Sequence, residues 1–181
     1  MVRAASGPTP GTAAAGTPPA DPDSVARAIC LRLLTGAPRT RAQLAAALER
    51  REVPREAADR VLTRFAEVGL VDDEAFASAW VRSRHAGRGL ASRALARELS
   101  QRGVDNHIVD DALAELNPDE ERTTARALVD RKLPSTRRLD RATRMRRLAG
   151  MLARKGYPSG LALQVVREAL DEESDPHFAT D

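Results

Sequence analysis

The 181-residue chain is 42% hydrophobic and 30% charged, a composition typical of folded rather than disordered proteins. Aromatic residues make up only 3% of the chain, which argues against an aromatic-rich β-sandwich and favours an aliphatic, helical core. The formal net charge of +3 permits a nucleic-acid or acidic-protein partner without requiring one.

The cysteine content and the hydropathy pattern exclude two further classes of protein. Cys30 is the single cysteine, so the chain cannot form an internal disulfide framework or a zinc cluster, and we expect Cys30 to be a small buried residue. No apolar run reaches the roughly 18 residues of a membrane span, and the first residues lack the apolar segment of a secretory signal. These features predict a cytoplasmic protein.

The N-terminal segment differs in composition from the rest of the chain. Residues 1–23 contain five prolines and three glycines and almost no large apolar side chain. Such a segment cannot bury enough surface to offset the entropy that it would lose on ordering. We therefore predict a disordered N-terminal tail, together with a short flexible tail over residues 174–181.

Helix start and stop signals begin after this tail. Thr40 and Gln43 form a capping box, and Pro54 can occupy a first helical position. Gly69 follows the third apolar run and is a typical residue after a helix end. These signals predict three helices, over roughly residues 24–35, 40–51 and 54–68.

The middle of the chain carries the same kind of signal. Asp72 opens a predicted helix that reaches about Ala86 and is stopped by Gly87. A second predicted helix covers about residues 90–102 and is stopped by Gly103.

Four further helices are predicted towards the C terminus. Asp105 caps the first of them, which ends at Asn117 and Pro118. The other three are marked by these residues: Pro118, Ser135 with Gly156, and Ser159.

An internal repeat of about 50 residues links the helices. A shift of 51 residues carries six apolar positions onto six others, and a further shift of 53 carries those onto a third set. The three sets are Leu44, Leu48, Val53, Val61, Leu62 and Phe65; Leu95, Leu99, Val104, Ala112, Leu113 and Leu116; and Leu148, Leu152, Tyr157, Val165, Val166 and Ala169. The second shift also places Gly103 on Gly156, whereas the first repeat has Glu52 at that position.

The repeat predicts an all-α fold of three tandem three-helix units, each similar to a helix-turn-helix. A single unit of this size buries too little surface to be stable alone, so neighbouring units should share core surface. We therefore expect an elongated and curved array. The predicted units cover residues 24–71, 72–117 and 118–173.

Two adjacent aspartates, Asp72 and Asp73, raise the question of an active site. Asp72 occupies a helix N-cap position, where a carboxylate accepts hydrogen bonds from free backbone N–H groups. His85, His107 and His177 show no metal-ligand spacing, and the sequence has no phosphate-binding glycine loop or nucleophile elbow. We therefore predict helix capping rather than catalysis, and no metal or cofactor.

The helix that follows Asp72 carries Phe76, Trp80 and Arg84 at positions i, i+4 and i+8, so one helix face holds both rings. Phe76 is expected to pack in the core. Arg84 lies one turn after Trp80 and can stack on the indole, which would leave a ring edge exposed as an anchor for a partner.

Charged residues are unevenly distributed. Residues 131–155 contain ten basic residues and one acidic residue, whereas residues 105–121 contain seven acidic residues and no Lys or Arg. Phosphates would repel such an acidic third helix, which argues against its insertion into a DNA groove. The basic side chains predict a stripe that follows a nucleic-acid backbone or an acidic protein groove. The alternative is that they only balance acidic neighbours. The residues of this basic stripe are Arg137, Arg138, Arg141, Arg144, Arg146, Arg147, Arg154 and Lys155.

Three segments resemble the RecX regulatory proteins of bacteria: GLVDDEAFASAWVRSR, HAGRGLASRALARELSQRGVD and LARKGYPSGLALQVV. The resemblance covers about residues 24–173 and implies an all-helical protein of tandem three-helix repeats. It also implies binding to the recombinase RecA on single-stranded DNA, in the groove of its filament. The implied effect is restraint of ATP hydrolysis and strand exchange by RecA, without catalysis by the RecX-like chain itself.

The residues expected to contact RecA or nucleic acid are Trp80, Arg84, Arg88 and the basic stripe, chosen from exposure rather than from the family. Two other functions remain open. Residues 38–73 alone resemble a winged helix-turn-helix of a transcription regulator, although no wing follows them. The second is a protein that only binds single-stranded DNA, although the chain has few aromatic side chains on which bases could stack. A monomer is expected.

Overall fold

The computed structural model describes residues 21–174, and every regular element in that part of the chain is a helix. Nine α-helices and one short 3₁₀ helix occur within these described residues. In chain order they are α1 (Pro22–Gly36), α2 (Arg41–Glu49), α3 (Arg55–Glu67), α4 (Asp73–Arg88), α5 (Ser92–Ser100), α6 (Asn106–Ala114), α7 (Pro118–Lys132), the 3₁₀ helix (Leu133–Thr136), α8 (Arg141–Arg154) and α9 (Ser159–Ser174). The predicted all-α fold class is confirmed.

Each successive set of three α-helices encloses its own hydrophobic core. The first core lies among α1, α2 and α3, and the second among α4, α5 and α6. The third lies among α7, α8 and α9 and also buries Ala91 of the second unit. Every apolar position of the sequence repeat belongs to the core of its own unit, either buried or packed against the buried residues. Cys30 is fully buried in the first core, as expected for a small apolar side chain.

Several helix starts agree with the capping signals in the sequence. The side chain of Thr40 accepts from the N–H of Gln43 at 3.1 Å, and Gln43 accepts from the N–H of Thr40 at 3.2 Å, which completes the predicted capping box. Asp72 accepts the N–H of Ala75 at 2.8 Å and is the N-cap of α4. The predicted role of Asp72 as a capping residue is therefore confirmed.

Other helix limits differ from the predictions. Helix α1 begins at Pro22, inside the predicted N-terminal tail, because Asp21 caps it by accepting the N–H of Ser24 at 3.1 Å. The rest of the predicted tail, residues 1–20, and residues 175–181 lie outside the described part of the chain. Helix α9 continues to Ser174.

Two stop and start signals were assigned to the wrong residue. Helix α4 passes through Gly87 and ends at Arg88, and its C-cap Gly89 takes the left-handed conformation with φ of 61°. Ser135 lies in the 3₁₀ helix, and α8 begins later, where Asp140 accepts the N–H of Thr143 at 3.0 Å. In both cases the residue that meets the backbone requirement lies a few positions further along.

The turn between the second and third helix of each unit repeats closely. Glu52, Gly103 and Gly156 occupy the same repeat position and have φ values of 57°, 73° and 94°. In each turn the next residue donates its N–H to a carbonyl five residues earlier, at 3.1 to 3.2 Å. This is the helix C-terminal motif that normally selects glycine, and the first unit forms it with a glutamate.

The units are joined in series. Every hydrogen bond between units in the described part of the chain joins neighbours, either the first to the second or the second to the third. Serial contact agrees with a tandem array, while the predicted curvature stays a prediction.

Candidate interaction surfaces

The two junctions between units share one arrangement. At the first junction the hydroxyl of Thr40 donates to the carbonyl of Arg102 at 2.6 Å. At the second, the N–H of Ala91 donates to the carbonyl of Lys155 at 2.9 Å. Both donors belong to the N-cap of the second helix of a unit, and both acceptors immediately precede the left-handed glycine of the next unit. The sequence repeat therefore extends to the way that units are joined.

A carboxylate from the first helix of the next unit completes each junction. Asp73 accepts the backbone N–H of Arg41 at 2.9 Å, and Glu121 accepts that of Ser92 at 2.8 Å. The first N–H groups of a helix have no acceptor within the helix and form its positive end, so each carboxylate stabilises the helix that it meets. Burial raises the pKa of Asp73, although the N–H of Arg41 acts in the opposite direction. Asp73 is thus a junction residue.

Trp80 lies half-buried on α4 inside a cluster of charged and aromatic side chains. The guanidinium of Arg84 lies 4.1 Å from the indole centroid, as the sequence spacing indicated. Arg102, from the turn after α5, lies 3.7 Å from the same centroid, and its contact was not predicted. The ring of Phe76 stacks on Trp80 with centroids 5.7 Å apart, and Glu98 accepts the indole N–H at 2.8 Å. The polar atom of Trp80 is therefore already satisfied within the molecule.

Trp80 and Phe76 also form one wall of an apolar groove between the first two units. The groove has a volume of about 460 Å³, and Leu34 and Pro38 from the first unit form part of the opposite wall. Leu70, at the same groove, exposes 49% of its surface. Since the indole N–H is occupied, the groove offers mainly apolar contact area, which suits an apolar side chain of a partner.

The structure divides the predicted basic stripe into two parts. Arg137 and Arg144 both donate to Glu173, and Arg141 donates to Asp171. The acidic end of α9 therefore balances these three arginines, as the alternative interpretation held. Arg144 exposes only 13% of its side chain and is a structural ion-pair residue.

The second part of the stripe has no such partner. Arg146, Arg147 and Arg154 line one pocket of about 420 Å³ together with Lys132, and Leu148 and Met151 also line it. Within the described part of the chain, none of these four cations forms an ion pair, and neither does the exposed Arg138. This pocket is an electropositive surface available to an anionic partner.

Arg88 and Lys155 do not line this pocket and lie at the second junction. The ammonium group of Lys155 donates to the carbonyl of Arg88 at 2.6 Å. The guanidinium of Arg88 lies 3.8 Å from a carboxylate oxygen of Glu98. Both side chains line a second basic pocket, of about 480 Å³, together with Arg131.

The histidines and carboxylates form no metal centre in the described part of the chain, where no group of three or more His, Cys, Asp or Glu side chains could hold an ion. His85 contacts the carbonyl of Leu90 at 2.9 Å through Nδ1 and the hydroxyl of Thr124 at 3.1 Å through Nε2. Since Thr124 belongs to the third unit, His85 acts as a link across the second junction. Between residues 21 and 174, no helix is long and apolar enough to cross a membrane.

Comparison with protein-family models identifies the units. The model described as the first three-helix domain of RecX matches residues 26–65, that of the second matches residues 72–113, and that of the third matches residues 119–166. The chain belongs to the RecX family. The resemblance found in the sequence is confirmed.

Curated relatives of this RecX-family chain carry the name Regulatory protein RecX. The relative from Streptomyces coelicolor is 64% identical over 160 residues, which cover 88% of this chain and 85% of the relative. The relative from Thermobifida fusca is 60% identical over 167 residues, which cover 92% of this chain and 88% of the relative. The relative from Mycolicibacterium vanbaalenii is 49% identical over 156 residues, which cover 83% and 85%.

A solved structure supports the same fold. The crystal structure of RecX from Lactobacillus salivarius aligns with a TM-score of 0.78 and covers 84% of this chain and 99% of that chain. The two sequences are only 19% identical, so this comparison concerns the fold alone. The same fold is therefore formed by very different sequences.

Proposed function

We propose that this RecX-family chain binds RecA and its filament on single-stranded DNA and restrains ATP hydrolysis and strand exchange by RecA. The proposed setting is DNA repair and the SOS response in the cytoplasm, and the proposed action is binding by a monomer without catalysis. The observation that supports this proposal is the serial arrangement of three units with contact surfaces on different units. Because a filament repeats one protomer at a regular interval, such an array can contact successive protomers, and weak contacts add through avidity.

Two surfaces are proposed to make these contacts. The groove beside Trp80 takes an apolar side chain of the partner, because the indole N–H of Trp80 already donates to Glu98. The pocket of Arg146, Arg147 and Arg154 binds acidic side chains or phosphates, because its cations have no ion-pair partner in the described part of the chain. The stripe residues that α9 neutralises are assigned a structural role instead.

The alternative of a helix-turn-helix DNA-binding regulator is not favoured. Its recognition element would be the third helix of a unit, and α6 contains no Lys or Arg and exposes Asp110 and Asp111. In the third unit, Glu168 and Glu172 on α9 pair with arginines of α7. Helix α6 would therefore present negative charge to DNA phosphates, which is unfavourable, whereas α9 is of mixed charge and its carboxylates are already paired.

The direct test is ATP hydrolysis by RecA on single-stranded DNA with increasing amounts of the full-length chain. Hydrolysis is expected to fall at amounts well below one chain per RecA protomer, because one bound chain contacts several protomers. Unchanged hydrolysis at every ratio would remove the proposal.

A charge-reversal variant tests the basic pocket within the same assay. The double variant Arg146→Glu with Arg147→Glu is expected to inhibit at least about 10-fold more weakly, and its inhibition should depend less on salt. The matched control is Arg32→Glu with Arg50→Glu, since both arginines are exposed and unpaired in the described part of the first unit. An equal loss in both variants would show that only net charge matters.

A further inference from the structure

A pocket of about 480 Å³ lies across the second junction, where the second and third units meet. The second unit contributes the C-terminal end of α4, residues 86–89, to its wall. The third unit contributes Thr124, Arg131 and other residues of α7, together with Lys155 at the end of α8. Any molecule bound in this pocket would contact both units at once.

Three cations line the pocket, and no acidic residue between positions 21 and 174 lines it. Lys155 uses one N–H on the carbonyl of Arg88 at 2.6 Å, so its other two donors remain available. Arg131 is exposed and has no side-chain hydrogen bond or ion pair in the described part of the chain. Arg88 exposes 59% of its side chain, and its one ion pair among the described residues is the 3.8 Å contact with Glu98. The pocket therefore holds unused donors from both units.

Helix dipoles account for only part of this clustering. Arg88, Arg131 and Lys155 lie at the C-terminal ends of α4, α7 and α8, where backbone carbonyls attract a cation. Each helix end carries about half a negative elementary charge, so three ends offset roughly half of the charge of three cations. Burial is the largest cause that lowers the pKa of Lys155, and the positive charges of Arg131 and Arg88 lower it further. An anion bound between the three cations would offset the repulsion among them.

We propose that this pocket binds the phosphate groups of an oligoanion and thereby holds the second and third units in one orientation. Phosphate oxygens suit the site, because guanidinium groups bind them through two parallel hydrogen bonds and an ammonium group adds a compact charge. In the sequence, Lys132 follows Arg131, and Arg154 precedes Lys155. Lys132 and Arg154 both line the other basic pocket. An extended phosphodiester chain could therefore reach both pockets, whereas a free oligophosphate would fill only one. This proposal concerns the chain without RecA and is tested without it.

The first experiment measures the binding of labelled single-stranded oligothymidylate to the full-length chain, with tripolyphosphate as a second ligand. The double variant Arg131→Gln with Lys155→Gln is expected to bind both ligands at least about 10-fold more weakly. For the oligonucleotide, the slope of log affinity against log salt should become smaller by about 1.4, the value for two single-strand phosphate contacts. The control Arg32→Gln with Arg50→Gln should change affinity by less than about 2-fold.

The single variant Arg131→Gln guards against a misfolded double variant, since Arg131 has no side-chain bond to lose in the described part of the chain. Its melting temperature should match that of the original chain, while its affinity falls. Wild-type affinity in both pocket variants, or an equal loss in the control, would overturn the proposal. Binding of tripolyphosphate identifies a free oligophosphate as a sufficient ligand, whereas binding of the oligonucleotide alone identifies the phosphodiester chain.

The second experiment tests whether the anion holds the two units together. Amide hydrogen exchange at Ala91, whose N–H donates to the carbonyl of Lys155, should slow by at least about 5-fold when the ligand saturates the chain. Exchange at Arg41, which donates to Asp73 at the first junction, should not change. Equal slowing of exchange at Ala91 and Arg41, or no slowing at Ala91, would contradict the proposal that the anion stabilises the second junction specifically. Because RecA is absent, a chain that binds phosphate but does not inhibit RecA would overturn only the proposed function.

Discussion

The carboxylate of Asp73 accepts the backbone N–H of Arg41 at 2.9 Å and so joins the first helix of the second unit to the second helix of the first unit. Arg41 and Ser92 are separated by 51 residues, the repeat distance. The backbone N–H of Ser92 likewise donates to the carboxylate of Glu121. Residues that occupy equal repeat positions therefore receive equivalent carboxylates at both junctions.

Replacing Asp73 should loosen the first junction. We expect Asp73→Ala to lower the free energy of unfolding by about 1–2 kcal/mol, because it leaves a helix N–H without its charged acceptor, while relief of the burial of the carboxylate offsets part of the loss. Amide hydrogen exchange at Arg41 should accelerate. The control is Asp72→Ala, which removes a bond to the N–H of Ala75 and should destabilise α4 without faster exchange at Arg41.

The left-handed turn position offers a matched set of substitutions. Glu52→Gly should stabilise the chain by roughly 1 kcal/mol, because glycine adopts the φ of 57° without the steric strain of a side chain. Gly156→Ala should destabilise the chain by more than the roughly 1 kcal/mol of backbone strain at this position, since the new Cβ would also lie 2.4 Å from the backbone nitrogen of Ala94. Thermal denaturation of both variants checks the pair. Opposite signs are required, and a loss of stability in Glu52→Gly would show that the glutamate side chain itself contributes.

The repeat explains how much of the fold the sequence could predict. Apolar spacing depends on local helix geometry, so the core positions and the turn shared by Gly103 and Gly156 could be identified from residue order alone. Longer-range contacts could not. The contact between Arg102 and Trp80, and the pairing of Arg144 with Glu173, depend on how helices pack, which hydrophobic periodicity does not specify.

The same reasoning applies to the candidate surfaces. A stretch of ten basic residues indicated an electropositive face, but the sequence could not show which of them α9 would neutralise. Register between α1, α4 and their neighbours likewise decides that Trp80 lines a groove. The 51-residue shift aligns Arg41 with Ser92 but not Asp73 with Glu121, which lie 48 residues apart, so the sequence repeat could not identify the junction carboxylates.

The third unit should be sensitive to acid through Glu173. Burial favours the protonated carboxyl, but hydrogen bonds and charges from Arg137 and Arg144 outweigh it and lower the pKa of Glu173 below its ordinary 4.5. A lowered pKa means that this carboxylate stabilises the fold fully above pH 4.5 and loses that contribution as pH falls through its folded-state value.

Comparison with a neutral variant measures this contribution. Glu173→Gln should be less stable than the original chain near pH 7, and the difference should disappear near pH 2. Denaturant titrations across this range give the two curves. Glu168→Gln is the control and should change stability less at either pH. Its carboxylate is more exposed, and its partner lies at the surface of α7, where salt and water screen the pair. A difference for Glu173→Gln that is constant with pH would exclude ionisation as its cause.

The last prediction separates the two roles of Trp80, its internal hydrogen bond and its wall of the groove. Trp80→Phe keeps an aromatic face in the groove but removes the N–H that Glu98 accepts at 2.8 Å, so stability should fall by about 1–2 kcal/mol with inhibition of RecA within about 3-fold of the original. Trp80→Ala removes the groove wall as well, and inhibition should weaken by at least about 30-fold, the effect of a central interface anchor. Circular dichroism at the assay temperature confirms that both variants are folded. Inhibition by Trp80→Ala equal to that of the original chain would mean that the groove does not contact the partner, and the basic pocket of Arg146, Arg147 and Arg154 would be the remaining proposed surface.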